Sequence, residues 1–100
     1  ISTGNGTLNH LLEQLSKHSL FDITINADGD TSAGWHHIVE DVGITLGQAL
    51  RKSIGDGSGI NRMGHAIVPL DEALALVAID FSGRGYSIIE GGFDVVIVLT

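Results

Sequence analysis

The chain contains no cysteine, so no disulfide frames the fold and no thiolate can hold a metal. An ion bound here would sit on nitrogen and oxygen, the donor set that suits manganese, iron, zinc or magnesium. A reducing cytoplasm is the expected setting. Cations are scarce as well. Lys17, Arg51, Lys52, Arg62 and Arg84 stand against twelve acidic residues, for a formal charge of −7. So little positive charge argues against nucleic acid as a partner, since that binding is driven by many phosphate contacts. Long apolar runs are also missing. The longest, Ala73 to Ile79, falls far short of the ~20 residues a membrane helix needs. No basic segment precedes an apolar one near the N-terminus, so neither a targeting signal nor an anchor is expected.

What is present describes a globular domain. The 100 residues suffice for one domain with a modest core, near the size at which partners or ions often supply part of the stability. Hydrophobic residues make up 43% and charged residues 17% of the chain, which excludes disorder and leaves little surface to repel other copies. Association with further copies is expected.

Periodicity sets out the elements. Leu8, Leu11, Leu12 and Leu15 recur at helical spacing from Thr7 to Lys17, behind the entry Gly4-Asn5-Gly6, with Thr7 as the expected N-cap. Phe21, Ile23, Ile25 and Ala27 then alternate with Asp22, Thr24, Asn26 and Asp28, the pattern of a strand with one dry and one wet face. Asp28-Gly29-Asp30 ends it. A second helix is predicted over 36–54, with Val39, Leu46, Ala49 and Leu50 on its inner side. Gly43 and Gly47 along it suggest a close approach by a neighbouring backbone. Strands are expected at His65–Val68, Leu74–Phe81, Tyr86–Ile89 and Asp94–Leu99. The fold class is therefore α+β, a single domain over residues 1–100 with helices packed on a sheet.

The richest chemistry lies in His36-His37-Ile38-Val39-Glu40-Asp41. On a helix of ~3.6 residues per turn, His36 stands beside Glu40 while His37 points about 100° away, towards Asp41. Two imidazole–carboxylate pairs on two faces suggest two ions. The plain alternative is a helix start decorated with polar groups. His10, on the first helix, is a candidate third imidazole presented from a second rigid element. His18 reads as a favourable charge at a helix C-terminus, and His65 as structural. Arg62 and Arg84 lie in the glycine-flanked turns Gly59-Ile60-Asn61-Arg62-Met63-Gly64 and Ser82-Gly83-Arg84-Gly85. They read either as a bidentate clamp for a phosphate or as loop arginines paired with acids.

Four stretches together carry a family resemblance: Leu8-Asn9-His10-Leu11-Leu12-Glu13-Gln14-Leu15, His36 to Ile44, Pro69-Leu70-Asp71-Glu72-Ala73-Leu74, and Asp80-Phe81-Ser82-Gly83-Arg84. In order and spacing the chain resembles imidazoleglycerol-phosphate dehydratase of histidine biosynthesis, from about Thr3 to Gly92. The resemblance implies a di-manganese hydro-lyase that converts imidazole glycerol phosphate to imidazole acetol phosphate. It also implies two similar half-domains, each a four-stranded sheet backed by helices of the ribosomal protein S5 domain 2-like kind, with trimers packed into a 24-subunit shell. Carried onto this sequence, His10 and His37 would bind one Mn2+, and His36 and Glu40 the other. Glu40 and His37 would be catalytic, Arg62 and Arg84 would hold the substrate phosphate, and Gln14 and His18 would line the substrate channel.

The chain departs from that family in places. Asn9 stands where the family has aspartate, and Gly34-Trp35 where acidic residues often precede the histidine pair. The family chain is nearly twice as long, and its second half brings further histidines. The present chain corresponds to the first half-domain. Two further readings stay open: a non-catalytic half-domain that self-associates and at most binds metal, and, ranked last, a metal-dependent hydrolase or phosphatase.

Overall fold

The computed structural model describes residues 1–91. Their architecture is α+β: helix α1 (Gly6–Ser19), helix α2 (His36–Ile54), and strands β1 (Met63–Leu70) and β2 (Ala73–Asp80), paired as one antiparallel hairpin. The expected strand Asp94–Leu99 lies outside the described residues.

Helix α1 starts two residues earlier than a cap at Thr7 would place it, because Asn5 caps it. Asn5 has extended backbone angles, and its side chain accepts a hydrogen bond from the Leu8 amide at 3.0 Å. That is the reach of an N-cap to its third helical residue. Thr7 already lies inside the helix. At the other end Leu20 takes a left-handed φ of 61°, a conformation that glycine usually supplies. Lys17 and His18 occupy the last turn, where positive charge meets the negative end of the helix.

The core is the place where the two helices share apolar side chains. Leu8 and Leu12 of α1 meet Ile38 and Val42 of α2, with Ile1, Ile25, Ala27, Val39 and Leu46 packed around them. Half of the expected leucine stripe stays at the surface, since Leu11 and Leu15 are exposed. On α2 the buried line is Ile38, Val42 and, partly, Leu46, an i,i+4 row. Val39 and Leu50 are half-buried beside it, whereas Ala49, expected inside, is exposed. Gly43 and Gly47 are both buried.

From Ile23 to Ala27 the segment keeps its predicted alternation, whereas Phe21, expected on the dry face, is exposed. Ile23, Ile25 and Ala27 are half-buried and their neighbours exposed. Among the described residues its backbone pairs with Ser2, whose amide donates to the Ile25 carbonyl and whose carbonyl accepts from the Ala27 amide, each at 2.8 Å. An alternating sequence sets which face is dry, while a strand also needs a partner along its edge. Residues 86–89 likewise form no strand, and Tyr86, Ile88 and Ile89 are exposed.

The hairpin is longer than its sequence signals. Strand β1 runs through Pro69, although proline cannot donate to a ladder. Leu70 pairs with Ala73 across a two-residue connection, and Pro69 faces Leu74. In such a hairpin the closing pair exchanges hydrogen bonds and the next pair does not, so the proline nitrogen points outward and no bond is lost. All residues of β1 and β2 are exposed, including Ile67, Val68, Leu76, Val77 and Ile79. Both faces and both edges of the ribbon are open among the described residues.

Two substitutions measure the helix ends. Asn5→Ala removes the cap and is expected to cost about 1 kcal/mol in urea unfolding. Leu20→Gly relieves the left-handed strain at a side chain that is 88% exposed. It is expected to raise stability by roughly 1 kcal/mol.

Candidate functional site

The imidazoles of His36 and His37 open α2, their ring centres 5.5 Å apart and their planes tilted by 56°. Successive helical residues diverge around the axis, so the two rings take different partners. His36 Nε2 lies 3.5 Å from Glu40 Oε2, one turn along the same face. His37 turns the other way, and its Nδ1 lies 3.6 Å from Asp30 Oδ2. Helix spacing alone points to Asp41 as the partner of His37. The structure gives that place to Asp30, in the loop before the helix.

Local geometry brings Asp30 there. The Ser32 amide donates to Asp30 Oδ1 at 2.8 Å, a turn in which an aspartate side chain bonds the backbone two residues on. The preceding glycine lets the loop lie flat on the helix: a Cβ at Gly29 would sit 3.2 Å from Ile38 Cγ1. The Ser32 bonds, and more weakly the His37 ring, hold the Asp30 carboxyl below the usual carboxylate range. Asp30 carried no functional assignment in the sequence. Its signal is the Asp-Thr-Ser spacing, which recurs at Asp56-Gly57-Ser58, where the Ser58 amide donates to Asp56 Oδ1 at 2.9 Å.

The start of α1 is pinned next to the start of α2. Thr3 is 2% exposed, and its hydroxyl and amide both donate to Asn9 Oδ1, at 2.6 and 3.0 Å. Both bonds need only an acceptor oxygen, which asparagine supplies as aspartate would. At Gly4 the backbone lies against the Trp35 indole, within 3.4 Å of where a Cβ would be. His10 is exposed on the first turns of α1. One turn past it, Gln14 Oε1 meets His18 Nε2 at 3.2 Å.

The arginines gather at the base of the hairpin. Arg62 forms a two-point pair with Asp80, Nε to Oδ1 at 2.6 Å and Nη2 to Oδ2 at 3.1 Å. Arg84 follows in a loop closed by the Ser82 hydroxyl, which accepts from the Arg84 amide at 3.2 Å. Hydrogen bonding and charge from Arg62, with a smaller contribution from Arg84, hold Asp80 below the usual carboxylate range. Arg62 is raised in turn by Asp80. Arg62 thus holds one exposed carboxylate, the arrangement of a paired loop arginine and also of a seat for an anion that displaces Asp80.

A cavity of about 940 Å³ lies beside His37, its wall running from Asp30, His37 and Asp41 past Leu46 to Asn61 and Phe81. That volume lies within the ~300–1,000 Å³ of small-molecule sites. The donor chemistry fits a divalent ion in pairs. Two ligands each ~2.1 Å from one ion stand roughly 3.0–3.5 Å apart, close to the separation of His36 and Glu40. Among the described residues no three histidine, aspartate or glutamate side chains converge on one point. The structure therefore brings together His36 with Glu40, His37 with Asp30, and Arg62 with Asp80. It does not bring His10 into a shared ligand group with them.

Similarity to known proteins covers nearly the whole chain. The family model described as imidazoleglycerol-phosphate dehydratase matches residues 3–98. The imidazoleglycerol-phosphate dehydratase of Hydrogenobaculum sp. (strain Y04AAS1) is 60% identical over 85 residues, covering 85% of this chain and 44% of the relative. That of Methanothermobacter thermautotrophicus is 53% identical over 94 residues, covering 94% of this chain and 48% of the relative. That of Burkholderia multivorans is 60% identical over 84 residues, covering 84% and 43%. The chain spans about half the length of the curated relatives it matches. Among the described residues no helix is long and apolar enough to cross a membrane.

The charge pair at the hairpin base sets a pH dependence. Asp80 titrates lower in the folded chain than in the unfolded one, where aspartate titrates near about 3.9. Its contribution to stability is therefore present above that value and lost as pH falls through the folded one. Following the Asp80 carboxyl by NMR should give a midpoint below the ordinary range, and Arg62→Ala should move it upward.

Proposed function

The chain belongs to the imidazoleglycerol-phosphate dehydratase family, and from that premise we propose that it supplies one half of a di-manganese hydro-lyase site. The reaction is loss of water from imidazole glycerol phosphate to give imidazole acetol phosphate, a step of histidine biosynthesis carried out in the cytoplasm. The observation that carries this reading is the splayed pair at the start of α2, with His36 set against Glu40 and His37 facing away.

In this reading His36 and Glu40 hold one Mn2+, and His37 with His10 holds the other. When bound, the ions polarise the substrate imidazole and stabilise charge that builds on its ring. Glu40 and His37 are the groups of this chain nearest that chemistry, and proton transfer at the Glu40 carboxylate assists departure of the hydroxyl as water. Arg62 and Arg84 take the phosphate bidentately once its charge replaces Asp80 at the guanidinium. Gln14 and His18 line the approach to the site. The remaining ligands come from other copies or other segments of the protein, so the working form is a homo-oligomer, trimer-based and of 24 subunits in the family pattern. The same assembly completes the sheet to the four strands of a ribosomal protein S5 domain 2-like half-domain, pairing the open edges of the hairpin.

A second reading has its own support. No three donors meet among the described residues, which suits a non-catalytic half-domain that self-associates and binds metal through donor pairs. One experiment separates the two. The chain is incubated with Mn2+ and imidazole glycerol phosphate, and the keto product is followed alongside His37→Ala. The lyase reading expects product, reduced by at least about a hundredfold in the variant. Product formation that survives the substitution defeats the ligand assignment, and absence of product from the unaltered chain favours the half-domain.

A further inference from the structure

We propose that Asp30 is a positioning residue for His37: it fixes the ring so that Nδ1 carries the proton and Nε2 presents its lone pair to the metal. The inference rests on the reading of His37 as a metal ligand and assigns the tautomer and orientation that such a ligand needs.

The geometry supports this from both sides of the contact. Asp30 Oδ2 lies 3.6 Å from Nδ1 of His37, and the other carboxylate oxygen is tied to the Ser32 amide at 2.8 Å. One oxygen anchors the side chain and the second is left for the imidazole. A histidine ligand commonly donates its remaining ring N–H to a carboxylate, which selects the tautomer and raises the basicity of the ligating nitrogen. Among the described residues the carboxylate beside His36 is Glu40, at its Nε2, which belongs to its own proposed ligand pair. The two neighbouring imidazoles therefore differ: one is oriented by its own helix, the other by a loop.

The loop is built for this role. Gly29 lies flat against Ile38, one of the four buried core residues, so the position of Asp30 is referred to the core. The same aspartate turn at Asp56 and Ser58 is made after the end of α2, where no histidine stands beside it. It provides an internal control of equal local chemistry.

The test uses the full 100-residue chain and Mn2+ alone. In Asp30→Asn the amide oxygen still accepts from Ser32, so the turn is kept, while the carboxylate oxygen facing His37 is replaced by an NH2 donor that cannot accept from Nδ1. Two readouts are taken: the tautomer of His37 from long-range 15N–1H spectra of the metal-free chain at mildly alkaline pH, and Mn2+ affinity by calorimetry. The expected result is a His37 ring protonated at Nδ1 in the unaltered chain. In Asp30→Asn the proton moves towards Nε2 and Mn2+ affinity falls about tenfold or more. Asp56→Asn should change neither. An unaltered His37 protonated at Nε2, or an unchanged tautomer or affinity in Asp30→Asn, overturns the proposal while leaving His37 free to be a ligand. His37→Ala separates the two ideas: if it binds Mn2+ as tightly as the unaltered chain, the ligand reading itself has failed.

Discussion

The packing of Leu8 and Leu12 against Ile38 and Val42 does more than exclude water. It joins the early turns of two helices, the parts that carry His10 on one and the His36–His37 pair on the other. His10 follows Leu8 on one helix, and the histidine pair precedes Ile38 on the other. The Trp35 indole on Gly4 and the buried Thr3 hydroxyl on Asn9 close the same corner from above. Four aliphatic side chains contribute about 1.5–3 kcal/mol each when fully buried.

Beyond that corner the chain is open. The hairpin contributes apolar side chains on both faces and leaves them exposed, an arrangement a stable ribbon normally avoids by covering its edges. Its base is nevertheless ordered by charge, through the two-point Arg62–Asp80 pair and the Ser82 turn under Arg84. The molecule thus carries imidazole and carboxylate groups beside a cavity, and a guanidinium–carboxylate pair at the hairpin base.

Much of the local structure was legible from residue order. Helix α2 spans the predicted 36–54, and the pairing of His36 with Glu40 follows from helix periodicity alone. The antiparallel pair flanking Asp71 and Glu72 was expected as two strands, although the reach of β1 through Pro69 was not. The cap was misplaced by two residues because Asn5 and Thr7 both have capping side chains. Only the backbone angles at Asn5 choose between them. The strand expected at Phe21–Ala27 shows the limit of alternation: a two-residue period states which side chains face inward, not whether a neighbour is there to bond.

By itself, then, the sequence determined the helices, the donor types and the family, because these depend on contacts between residues close along the chain or on a recognisable order of motifs. Which carboxylate faces which imidazole was decided only by tertiary structure. His37 meets Asp30 and not Asp41, and Arg62 meets Asp80. The physical reason is that both pairs arise where the chain turns back on itself. The direction of such a return is set by a glycine lying on an isoleucine and a serine amide holding a carboxylate, which no periodicity encodes.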